Sequence, residues 1–198
     1  MKRFSIAAAG LLLALMPMTP VSAGWKLIAH GEQVSVAKGT LMVTAGEDWN
    51  RWTVRPVKKS EVWTLDGVGL NELYFVSALL PGETLYRDAK KKDQPLPAMR
   101  SGMDLADIPD FVESSMRVAL DTSEFEMTGT EAVKFAERPG VRFMFNYAVA
   151  GSPLVRKGLG VGTVAGGQLY LVTFVAPETY YFERDLPKAE AIIASARF

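Results

Sequence analysis

Apolar and polar residues alternate through much of the second half of the chain. Val141, Phe143, Phe145, Tyr147 and Val149 interleave with Arg142, Met144, Asn146 and Ala148, the pattern of a strand with one face pressed on a core. Residues 131–137 alternate as well, with Ala132, Lys134 and Ala136 opposite Val133 and Phe135, and Arg138-Pro139-Gly140 reads as the turn that follows. Residues 156–165 and 168–175 flank Gly166-Gly167, two positions that tolerate positive φ and so predict a tight hairpin. Four strands joined by short turns make an antiparallel meander. The first half offers a short strand at 41–44 and another at 61–66, where Val62 and Thr64 oppose Trp63 and Leu65. A longer apolar strand at 70–80 ends in Pro81-Gly82.

Two segments switch to the helical period. Ile108, Phe111, Val112, Met116, Ala119 and Leu120 line one side of the first, and Leu186, Ala189, Ile193 and Ala196 line the second. Each opens with Asp-x-Pro, Asp107-Ile108-Pro109 and Asp185-Leu186-Pro187, which reads as a capping Asp ahead of a first-turn Pro. Strands and helices without βαβ alternation predict an α+β domain, a central antiparallel sheet with helices packed on its faces.

Residues 1–23 follow a different logic. Lys2 and Arg3 form a basic head, an apolar run follows to Met16, and Val21-Ser22-Ala23 offers a small-x-small cleavage site. The run is too short for the roughly 20 residues of a bilayer-spanning helix. It reads as a signal peptide cleaved near Ala23/Gly24, leaving residues 24–198 as a single domain, exported and best suited to a bacterial periplasm. The 198 residues include no Cys, so no disulfide framework and no lipid-acceptor thiol exist. The 22 basic and 22 acidic residues balance, and Lys2 and Arg3 fall in the leader, so nothing draws the chain to nucleic acid.

Candidate chemistry is sparse. The lone histidine, His30, has no nucleophile motif around it and reads as incidental. With one His and no Cys, neither a structural zinc site nor any other metal or cofactor is expected. Asp104, Asp107 and Asp110 recur every three residues at a helix start, where acids complement free N–H groups; Asp107 and Asp110 have capping-box spacing. Lys90-Lys91-Lys92 reads as part of a solvated loop. Gly158, Gly160 and Gly162 alternate on one strand and share a face. Such a side-chain-free trough beds a helix, for which the Ala-rich last helix is suited, or holds a small apolar or lipid-like ligand. Trp49, Arg51, Trp52 and Arg55 crowd a segment rich in turn formers, 46–60. Exposed, they would form a binding hot spot; buried, the tryptophans would plug a core margin. They are the candidate binding residues.

The C-terminal third carries a resemblance. Gln168-Leu169-Tyr170-Leu171-Val172-Thr173-Phe174, then Tyr181-Phe182, a helix headed by Leu186 and the tail Ile193-Ala194-Ser195-Ala196-Arg197-Phe198 are similar to the closing strand and helix of the PsbP/Mog1-like family. That resemblance implies an antiparallel sheet flanked by helices, no shared catalytic residue, and a non-enzymatic accessory role in binding a larger assembly. The expected function is therefore an exported envelope protein that binds another envelope protein. A carrier of a small apolar or lipid-like ligand is the alternative. A hydrolase built on a Lys, Tyr and carboxylate constellation is a third.

Overall fold

The structure, a computed structural model, describes residues 24–87 and 93–198. The expected leader at 1–23 and the Lys90-Lys91-Lys92 cluster lie outside the described residues. The chain runs through β1 (Trp25–Ile28), β2 (Gln33–Ser35), β3 (Met42–Thr44), β4 (Trp49–Trp52), β5 (Ser60–Thr64) and β6 (Glu72–Leu79). After a long connection come α1 (Asp107–Leu120), β7 (Phe125–Phe135), β8 (Arg138–Ala148), β9 (Val155–Ala165), β10 (Gln168–Pro177) and α2 (Glu183–Ala194). Eight strands form one antiparallel sheet in the order β1-β4-β5-β6-β10-β9-β8-β7, and β2 pairs with β3 as a separate hairpin. The meander β7–β10 is thus one half of the sheet, and β6 joins it to the other half along β10.

Alternation sorts the side chains into two cores, one per face. Trp49, Trp63, Phe75, Leu159, Val161 and Phe174 pack with Ala189 and Ile192 of α2 and with the β2–β3 hairpin. Tyr74, Val76, Phe143, Phe145 and Tyr147 pack with Ile108, Phe111, Val112 and Met116 of α1. Trp63 and Val62 fall on opposite faces as their alternation requires. Ala119 departs from the expected α1 stripe and is exposed.

Three local readings change. The turn before β8 is Ala136-Glu137, both at positive φ (49° and 61°), while Arg138, Pro139 and Gly140 pair along the strand. The box at the head of α1 sits one turn earlier than its spacing suggested. Asp104 Oδ1 accepts from Ala106 N (2.9 Å) and Asp107 N (3.3 Å), and Asp107 Oδ2 accepts from Asp104 N (3.1 Å). Asp104 and Asp107 thus satisfy each other's backbone donors reciprocally across an interval of three.

α2 begins at Glu183, so Asp185 lies in its first turn and serves as an anchor. Fully buried, it accepts from Asn71 Nδ2 (3.0 Å), Arg184 Nε (2.8 Å) and Lys188 Nζ (3.0 Å). Burial works against its ionisation, but the bonds from Arg184 and Lys188 outweigh it and hold its pKa below the ordinary value. Asn71 in turn accepts from the backbone N–H groups of Leu65 (2.7 Å) and Asp66 (3.1 Å), so the β5–β6 turn and the head of α2 are locked together.

Candidate functional site

The segment that holds Trp49, Arg51, Trp52 and Arg55 contains a strand, β4, and a strand sends consecutive side chains to opposite faces. Trp49 points to the α2 side and is completely buried; it is a core residue and presents no surface to a partner. Trp52 points to the other side and is 36% exposed, stacked on Trp25 of β1 with ring centroids 6.2 Å apart. Trp25 is 38% and Leu27 55% exposed, so an apolar pad lies along this edge of the sheet.

Arg51 shares the face of Trp49 and reaches Glu61 at 3.5 Å. Glu61 is buried, accepting also from Trp63 Nε1 (2.7 Å) and Ala37 N (2.9 Å), so its carboxylate is fixed and fixes Arg51. Arg55 donates to the Lys58 carbonyl (3.3 Å) and curls the loop after β4. Arg51, Trp52 and Arg55 meet, with Lys38, Ser35, Thr53 and Glu61, around a cleft of about 160 Å³. Three of the four sequence candidates therefore converge, with three cations facing one carboxylate that is already bonded. Trp25 and Leu27 belong to no sequence motif, although Trp25-Lys26-Leu27-Ile28 does alternate.

The glycine trough is filled from within the sheet. A Cβ on Gly158 would stand 2.1 Å from the Phe145 ring, and one on Gly160 would stand 2.1 Å from the Phe143 ring. Gly158 pairs with Phe145 and Gly160 with Phe143 across β8–β9, so each aromatic ring lies over the glycine opposite. A Cβ on Gly162 would meet Leu171, the Tyr170 carbonyl and Ile108 of α1. The helix on this face is α1, not the last helix, and the rings occupy the space that a ligand would need.

The structure also gathers a group that no spacing in the sequence announces. Glu72 and Tyr74 of β6, Tyr86 of the long connection, Tyr147 of β8 and Arg156 of β9 influence one another's ionisation on the α1 side. Tyr74 and Tyr86 rings lie 5.3 Å apart, and Tyr74 Oη donates to the Leu85 carbonyl. Arg156 donates to the Gly69 carbonyl (2.8 Å). Burial lifts the Glu72 pKa to about 7 against the pull of Arg156, and lifts Tyr147 to about 12. Burial raises Tyr74 and Tyr86 too, so at neutral pH these are neutral phenols around a carboxyl poised between its two states. Among the described residues no His, Asp and Glu side chains gather in threes to hold a metal ion, and no helix is long and apolar enough to cross a membrane. His30 is exposed in the turn after β1, with Nδ1 2.6 Å from the Gly46 carbonyl.

No protein-family model matches the chain, and no curated protein matches it in sequence. Solved structures do match in fold. The cyanobacterial PsbP protein CyanoP of Synechocystis sp. PCC 6803 aligns with a TM-score of 0.55 at 14% identity, over 92% of this chain and 98% of that one. The Saccharomyces cerevisiae Ran-binding protein Mog1p aligns at 0.50 and 9% identity, over 84% and 94%. A Bacteroides thetaiotaomicron protein aligns at 0.50 and 12%, over 85% of this chain and 48% of that chain. This chain has helices on both faces of an antiparallel sheet, and its alignment along nearly the whole of CyanoP and Mog1p gives it the PsbP/Mog1-like fold.

Proposed function

We propose that the protein is a non-enzymatic accessory protein of the bacterial cell envelope, exported to the periplasm with cleavage near Ala23, and that it works by binding another envelope protein. The observation that carries this reading is the stacked Trp25–Trp52 pair left in solvent at one edge of the sheet. Tryptophan is the residue most enriched at binding hot spots, and a pair held rigid by strand pairing gives up little entropy when a partner covers it. Mog1p, a Ran-binding protein of similar fold, supports protein binding as the role of this chain. The apolar-ligand alternative has lost its trough to Phe143 and Phe145.

The test is comparative capture from envelope extracts with the parent and with Trp52→Ala. The parent should retain a specific protein and the variant should lose it while melting at nearly the same temperature. Retention by both, or by neither, overturns the reading. N-terminal sequencing of the exported protein should start at Gly24 within a couple of residues.

A further inference from the structure

We propose that the outer edge of β1 takes up an extended segment of a partner protein as a ninth strand, and that this segment alternates apolar with acidic side chains. The inference rests on the protein-binding reading above and specifies its surface and the chemistry of the partner.

The backbone sets the first half of the argument. Among the described residues β1 pairs with β4 alone, in the register Trp25 to Trp52 and Leu27 to Asn50. Thr53 N donates to the Gly24 carbonyl (3.0 Å), which makes Gly24 and Thr53 a hydrogen-bonded pair. Alternation along the ladder then makes Lys26–Arg51 and Ile28–Trp49 hydrogen-bonded pairs, and Trp25–Trp52 and Leu27–Asn50 non-bonded ones. The N–H and C=O of Trp25 and Leu27 therefore point away from β4, on a side where no described strand pairs with them. The next outward residue, Ala29, is already closed, its N–H bonded to Glu32 Oε2 (3.2 Å) and its carbonyl to Glu32 N (3.0 Å). The open edge is thus two residues long, and those two also carry the exposed apolar side chains. An added strand would find its backbone partners and its hydrophobic contacts at the same positions.

Charge sets the second half. On the opposite face of this edge stand Lys26 and Arg51, cross-strand neighbours, with Lys38 and Arg55 around the adjoining cleft. Glu61 is the one acid lining that cleft, and its oxygens are taken by Trp63, Ala37 and Arg51. Glu32 and Asp48 lie at the far end of β1, where they bond backbone N–H groups. A strand whose apolar residues cover Trp25 and Leu27 turns its intervening residues towards Lys26 and Arg51, and acidic ones are what those cations complement. A second copy of this chain fits poorly. Antiparallel pairing of two β1 strands that matches Trp25 with Leu27 places Lys26 directly against Lys26.

The probe is a fluorescent peptide of alternating Val and Glu, compared with its Val/Lys counterpart and with anionic vesicles. The Val/Glu peptide should bind the protein, and the Val/Lys peptide should bind at least about tenfold more weakly. Leu27→Pro deletes an outward N–H without touching the ladder to β4. It should weaken peptide binding by about tenfold or more at an unchanged melting temperature. Arg55→Glu should weaken it severalfold and flatten its salt dependence. Equal binding by parent and Leu27→Pro, equal binding of both peptides, binding to vesicles but not to peptide, or a dimer formed through β1 each overturns the inference. Photo-crosslinkers at Leu27 and, on the opposite edge, at Thr130 separate the two levels of claim. Capture of a protein from Thr130 and not from Leu27 overturns the β1 site and leaves protein binding standing. Capture from no position overturns protein binding itself.

Discussion

The two edges of the sheet are built to opposite rules. β7 is 11 residues long, nearly three times β1, and is exposed along most of its length. It carries Glu126, Glu131 and Lys134, and its pairing with β8 slips at a bulge between Met127 and Gly129. Charges and a bulge are what keep an exposed strand from recruiting another chain. β1 has neither protection over its open positions. Its one charge, Lys26, points to the face opposite Trp25 and Leu27, and shortness alone limits it. The lesson is that one border of this sheet carries charges and a bulge, while the other leaves two apolar positions open. The same fold thus displays a guarded and an available border.

The largest test of that contrast lies within β4, where a buried and an exposed tryptophan stand three residues apart. Trp49→Ala should cost about 3–5 kcal/mol of stability, since the whole side chain is in the core. Trp49→Phe should cost far less, because the indole N–H has no hydrogen-bond partner to lose. Trp52→Ala should cost about 1 kcal/mol or less. Chemical denaturation of the three variants checks this, and a Trp52→Ala loss as large as that of Trp49→Ala would make the pad a mere core margin.

The interior of the meander is secured in another way, through aromatic rings of β8 laid over glycines of β9. Gly160→Leu forces a side chain into the Phe143 ring and should cost about 1–3 kcal/mol. Leu27→Ser, at the open edge, should change stability by no more than about 0.5 kcal/mol. Equal midpoints for these two variants would remove the distinction between a packed interior and an open edge.

These differences were unevenly written in the sequence. The meander was legible because its strands are 10 or 11 residues long and repeat the two-residue period many times, and Gly166 and Gly167 (φ 58° and 74°) mark its last turn. β1, β2 and β4 have three or four residues each, too few for a period to stand out, and turn formers surround them. The turn formers across 46–60 obscure the alternation that sends Trp49 and Trp52 to opposite faces. The Gly158, Gly160 and Gly162 face was visible, but what fills it depends on register with β8, which only the fold supplies. The Glu72 cluster was out of reach, since its members span residues 72 to 156 and meet through sheet order alone.

That cluster sits within the sheet, away from both edges, so its titration should register in the stability of the fold as a whole. The folded chain holds the Glu72 proton up to about pH 7, whereas the unfolded chain releases it near the model-peptide value of 4.5. Between those values the native state binds more protons, so stability should fall as pH rises through the window and level off above it. The half-buried side chain keeps some solvent contact, so the change should be of the order of 1–2 kcal/mol, and Glu72→Gln should flatten it. A melt that rises with pH across this range, or an equal slope in the variant, would place the proton elsewhere.

A small effect on stability, with a sharp one on behaviour, belongs to the guarded edge. Glu131 pairs with Arg142 at 3.0 Å, but the carboxylate is 59% exposed and Arg142 keeps a second partner, Glu190, at 3.0 Å. Such a surface pair contributes little, about 0–1 kcal/mol. Replacing Glu131 and Lys134 together by Val should therefore leave the midpoint within about 1 kcal/mol of the parent, while turning a charged border into a long β-branched one. Self-association should follow at concentrations where the parent stays dispersed, measured by sedimentation velocity or light scattering. The bulge at Met127 and Gly129 remains in this variant, so the new contact should be confined to the stretch from Thr130 to Phe135. A double variant as dispersed as the parent would mean that the bulge alone guards β7. Charge would then not be what separates the two edges, and the openness of β1 would rest on its backbone geometry alone.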